Sequence, residues 1–131
     1  RGLNTREWIY VDDHCRALEM LSIKGKIGQN YNIGTNNNLT NIKLTKLIIT
    51  KLKKKIFLVG KKVKIIYVKD RPGHDFRYAI NSRKIKNELK WKPLISLNKG
   101  ISKTINWYIQ NRKYFKSISK KKHLIRLGTK I

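Results

Sequence analysis

The chain has 131 residues, 40% of them hydrophobic, and a formal net charge of +25 from 32 Lys and Arg against 7 Asp and Glu. This is one domain's worth of chain, long enough to bury a core. A single cysteine, Cys15, excludes an internal disulfide framework and fits a reducing, cytoplasmic compartment. No apolar run approaches the ~20 residues of a membrane span, so no membrane partner is expected. The charge raises a nucleic-acid hypothesis, which we rank below drift in composition. Lysine, isoleucine and asparagine all have A/T-rich codons, and the lysines are scattered apart from Lys53–Lys55 and Lys120–Lys122. Aromatic residues do not interleave with them, as stacking on single strands would require.

The chain begins with Arg1 rather than Met, which suggests a segment of something longer or a processed product. Arg1 to Thr5 reads as extended, and Glu7 to Val11 alternates enough for a short strand. Asp12-Asp13 offers an N-cap, and His14, Ala17, Leu18 and Leu21 recur at helical spacing, so a helix is expected to about Ile23. Lys24 to Gly28 closes it. Gln29 to Ile33 reads as a second strand and Gly34 to Thr40 as a polar loop. Thr40 or Asn41 caps a helix whose apolar stripe is Leu44, Leu47, Ile48 and Leu52, with lysines at its C-terminal end.

Val63 to Val68 is a third expected strand. Beyond the turn that follows, Asn81 or Ser82 caps a short helix through Leu89, which Trp91-Lys92-Pro93 breaks. Asn98 starts a helix with Ile101, Ile105, Tyr108 and Ile109 facing inward. There is no internal repeat. The pattern is mixed α/β: a portion over residues 1–112 that packs against something absent, then a basic helix or tail over 113–131.

The most informative stretch is Lys69-Asp70-Arg71-Pro72-Gly73-His74-Asp75-Phe76-Arg77-Tyr78. Pro72 presets φ for the second turn position and Gly73 accepts the positive φ that a type II turn needs at the third. Its corners, Arg71 and His74, then lie within about 7 Å at their Cα atoms. A guanidinium and an imidazole side by side can both donate to one anion, with Asp70 and Asp75 flanking them. Taken alone, a solvated surface turn is the commoner outcome. Arg6 before the first strand and Asn41 at a helix N-terminus add two more polar positions. If the fold gathers them, they make a site for a phosphorylated ligand.

Other chemistry is missing. Gly25-Lys26-Ile27-Gly28 follows a helix and precedes a strand, the wrong context for a dinucleotide loop. No Tyr-x-x-x-Lys pair and no Gly-x-Ser-x-Gly turn occurs. His14, His74 and His123 are too dispersed for a metal site.

Three strings carry a family resemblance: Arg6-Glu7-Trp8-Ile9-Tyr10-Val11-Asp12-Asp13-His14, Tyr31-Asn32-Ile33-Gly34, and Asp70 to Asp75 with Arg77-Tyr78-Ala79. Glu88-Leu89 with Trp91 and Pro93, the stretch from Gly100-Ile101 to Trp107-Tyr108, and Arg126-Leu127-Gly128 extend them. In this order they resemble the dTDP-glucose 4,6-dehydratase family of extended short-chain dehydrogenases. The resemblance implies an α/β fold: the C-terminal substrate-binding portion of a Rossmann-type nucleotide-sugar dehydratase, a small mixed α/β domain lacking the NAD-binding core.

It also implies an NAD-dependent lyase that turns dTDP-glucose into dTDP-4-dehydro-6-deoxy-glucose and water. NAD and the catalytic residues would belong to an N-terminal domain, so this portion alone would be inactive and the whole protein a homodimer. Carried over residue by residue, Arg6, Asn41, Asp70, Arg71, Pro72, Gly73 and His74 match positions that contact the dTDP-sugar. Glu7, Thr35 and Asn38 depart from the pattern. If position 35 needs positive φ, threonine there strains the loop by about 1–3 kcal/mol. The alternatives are a related epimerase or decarboxylase fragment, or a basic nucleic-acid-binding module.

Overall fold

The computed structural model describes residues 2–56, 63–70 and 72–117. Its core is small. Ala17, Ile85 and Trp91 are buried together, and Ile9, Met20, Leu21, Tyr31, Ile33 and Leu89 pack against them. Ala17 comes from helix α1 (Val11–Lys24) and Ile85 from helix α3 (Arg83–Leu89). Helix α2 (Asn41–Lys55) and helix α4 (Leu97–Gln110) pack against each other and contribute the buried Leu44 and Ile105. Helix α5 (Arg112–Ser117) follows α4.

The start of α1 differs from the sequence expectation. Its N-cap is Tyr10, which makes no side-chain capping bond, so Asp12 and Asp13 lie inside the first turn. Asp13 instead points inward and is only 2% exposed. Its carboxylate accepts N–H bonds from Leu94 (2.9 Å) and Ile95 (2.8 Å) and pairs with Arg16 (2.9 Å). Burial pushes the Asp13 carboxyl up, but the backbone donors and Arg16 together outweigh it, and its pKa sits below the ordinary value. Arg16 also donates to the Lys92 carbonyl (2.5 Å). A single carboxylate thus fastens the chain after Trp91 to α1. The buried stripe of α1 accordingly runs through Asp13 and Ala17, and Leu18 is 50% exposed.

The other helices start close to where capping residues place them. Thr40 caps α2, accepting from the Lys43 N–H (3.3 Å). Ser96, rather than Asn98, caps α4 through the Lys99 N–H (3.3 Å). At α3 the Asn81 side chain accepts from the Arg83 N–H (3.0 Å), and Lys90 ends the helix in the left-handed region.

The strands are where expectation and structure part. Strand β1 is Thr5–Glu7, not Glu7 to Val11, and it pairs antiparallel with β2, Asn38–Thr40, inside the stretch expected to be a loop. Neither Gln29 to Ile33 nor Val63 to Val68 is a strand. The first lays Tyr31 and Ile33 on the core without a ladder. The second has strand composition, but none of the described strands pairs with it and its side chains are exposed. A strand is defined by its partner as much as by its own residues.

On its other side β1 meets the chain beyond the turn. Thr5 N–H donates to the Phe76 carbonyl (2.8 Å) and Tyr78 N–H to the Thr5 carbonyl (3.1 Å). Within α4 only Ile105 of the four expected inward residues is buried. Ile101, Tyr108 and Ile109 line an apolar groove of about 600 Å³ between α2 and α4, with Trp8 and Tyr10 also in its walls.

Candidate functional site

Successive strand residues point to opposite faces, so β1 sends Arg6 one way and Glu7 the other. Glu7 acts as a clasp. Its carboxylate accepts the N–H groups of Thr35, Asn36 (2.7 Å) and Ile80 (3.1 Å), which fixes the loop before β2 and the chain beyond the turn against β1. Thr35 does not adopt positive φ; Asn36 does (64°). Asparagine tolerates that region, and Thr35 uses its hydroxyl to donate to the Trp8 carbonyl (2.8 Å). The strain expected at position 35 is therefore absent.

Arg6 meets the turn. Its guanidinium donates to the Thr5 carbonyl (2.8 Å), to His74 Nε2 (2.7 Å) and to the Asp75 carbonyl (2.9 Å), and it lies 4.5 Å over the Tyr78 ring. An arginine can only donate, so Nε2 of His74 accepts and Nδ1 carries the proton. That proton points at Asp70 Oδ1 (2.7 Å). Asp70, His74 and Arg6 thus form one chain of hydrogen bonds running from turn to strand. His74 is 21% exposed at its side chain and Asp70 52%, so the chain lies at the surface. Three of the five guanidinium N–H groups are engaged in these bonds, which leaves two to meet a ligand oxygen.

Gly73 has φ of 66°, as the turn geometry requires, and Pro72 and Gly73 are both exposed. Arg71 lies outside the described residues. Asn41 is the first residue of α2, and the backbone there is already occupied. Asn41 N–H donates to the Asn4 carbonyl (3.0 Å), Ile42 N–H to Gly2 (2.9 Å) and Lys43 N–H to the Thr40 side chain. What Asn41 can offer a ligand is therefore its side chain rather than the helix end. The sequence reading passed over Asn4, Glu7 and Tyr78 as site residues. Of these, Tyr78 had a signal only in closing the stretch Lys69 to Tyr78, and the structure places its ring 4.5 Å from the Arg6 guanidinium. Among the described residues no cluster of His, Cys, Asp and Glu is arranged to hold a metal ion. No described helix is long and apolar enough to cross a membrane.

This small α/β unit gathers the Arg6 guanidinium, the His74 imidazole and the carboxylates of Asp70 and Asp75 at one turn. The chain belongs to the GDP-mannose 4,6 dehydratase family, which it matches over residues 1–104. It is similar to the dTDP-glucose 4,6-dehydratase of Salmonella typhimurium, 42% identical over 119 residues, covering 90% of this chain and 33% of that protein. The fold is similar to a Bacillus anthracis dTDP-glucose 4,6-dehydratase in complex with NAD, with TM-score 0.77, 44% identity, and 88% and 34% of the two chains covered. It is also similar to a Thermotoga maritima UDP-glucose 4-epimerase with UDP-glucose, with TM-score 0.71, 30% identity, and 85% and 33% covered. The chain spans about a third of the length of the curated relatives it matches.

Proposed function

We propose that this chain is the substrate-holding portion of a dTDP-glucose 4,6-dehydratase. In that reaction the sugar is oxidised at C4, water is lost across C5 and C6, and C6 is reduced. NAD supplies the hydride chemistry where it is bound. The described residues do not fit it, because Gly25 and Gly28 follow α1 and no strand–glycine loop–helix unit is present among them. The part played here is to bind and orient. Arg6, with its two remaining N–H groups, takes a phosphate oxygen, Arg71 and Asn41 complete the grip, and His74, both of whose ring nitrogens are engaged, holds the Arg6 guanidinium in place. Asp70 orients His74, and Pro72 and Gly73 shape the turn. Residues 1–112 form this portion and 113–131 a basic extension. The portion is inactive by itself and works in the cytoplasm within a homodimer.

The observation that carries this reading is the Arg6–His74–Asp70 chain, which joins the two segments singled out from sequence. Isothermal titration calorimetry tests it. The chain should bind dTDP at low salt more tightly than UDP or GDP. Arg6→Ala should weaken dTDP binding at least tenfold, and Lys64→Ala, which removes an exposed charge, less than twofold. A folded chain that ignores dTDP, or equal losses from the two substitutions, overturns the reading. Preference for UDP would assign the site to an epimerase-type substrate instead.

A further inference from the structure

The geometry points to Asn4 as a positioning residue of the anion site, one that by holding Asp70 helps keep the proton on Nδ1 of His74. The inference starts from its contacts. The Asn4 side-chain amide lies 3.3 Å from Asp70 Oδ2, 3.4 Å from the Asp75 carbonyl oxygen and 3.4 Å from His74 Nδ1. An amide nitrogen has two hydrogens to give. Because Nδ1 already carries a proton, both go to oxygen, one to Asp70 and one to Asp75. Asp70 is thereby held from its far oxygen while its near oxygen receives His74. The Asn4 backbone carbonyl accepts the Asn41 N–H (3.0 Å). Asn4 is therefore the joint between the two halves of the site, the turn on its side chain and α2 on its backbone. With Asp70 fixed, Nδ1 keeps its proton, and Nε2 stays open to Arg6.

This rests on the sugar-nucleotide reading only for its second measurement. The first is imidazole ¹⁵N NMR of His74 in the whole chain. The parent should show the Nδ1–H tautomer. Asn4→Asp keeps the shape but sets a carboxylate against Asp70, and should shift His74 toward a mixture of tautomers. Asn4→Ala should do so less, and Asn4→Gln should keep the parent pattern. The second measurement is dTDP affinity, expected to fall about tenfold in Asn4→Asp and threefold in Asn4→Ala, with melting temperatures unchanged. An unchanged His74 pattern in both Asn4→Asp and Asn4→Ala overturns the inference. If the parent fails to bind dTDP while the tautomer shifts as stated, the functional reading falls and the role of Asn4 stands.

Discussion

At Gly34 a side chain is excluded by space, not by backbone conformation. A Cβ there would stand 2.7 Å from Glu7 Oε1, and that oxygen is pinned by the Thr35 and Asn36 N–H groups. A free glutamate would swing away at little cost; this one must break its bonds to do so. Gly34→Ala should destabilise the chain by about 1–3 kcal/mol in urea unfolding. A loss under about half a kcal/mol would show that Glu7 is not the clasp it forms here. Other residues show how much of the site could be read in advance. The turn holding Asp70 and His74 was legible because Pro-Gly with flanking charges has a mechanism, whereas Arg6 stood out only as a polar position before the first expected strand. Asn4 was not legible, because an asparagine before a three-residue strand looks like any other until the turn arrives beside it.

Helices were more legible than strands, and for a local reason. Capping hydroxyls at Thr40 and Ser96 and periodic leucines announce a helix within a few residues. A three-residue strand such as β1 owes its existence to β2 and to the chain at Phe76, which no window around residue 5 contains. The misread cap of α1 is the exception. Asp13 has the composition of an N-cap, yet its carboxylate serves Leu94 and Ile95 on another segment. Because its pKa is lowered on folding, the group stabilises the chain fully above the ordinary carboxylate range near 4. That contribution fades as pH falls below this range. Asp13→Asn should therefore cost about 1–3 kcal/mol at neutral pH. The gap between parent and variant should narrow below about pH 4. A gap independent of pH would mean that packing, not charge, makes the contribution.

Across the molecule, a net charge of +25 repels itself, and the few acids are mostly committed to specific partners. Salt shortens the reach of that repulsion from about 30 Å at 0.01 M to about 8 Å at 0.15 M. The melting temperature should rise over this range, whereas a fall would show that the ion pairs outweigh the repulsion. The site has its own whole-molecule property, which concerns time. Arg6 and His74 are 68 residues apart in sequence, whereas the helices close over contacts a few residues long. Contacts that span long loops form late, after the local elements have met. If the grip closes only after the transition state, a ligand present during folding leaves the rate of folding unchanged and slows only the return to the unfolded state.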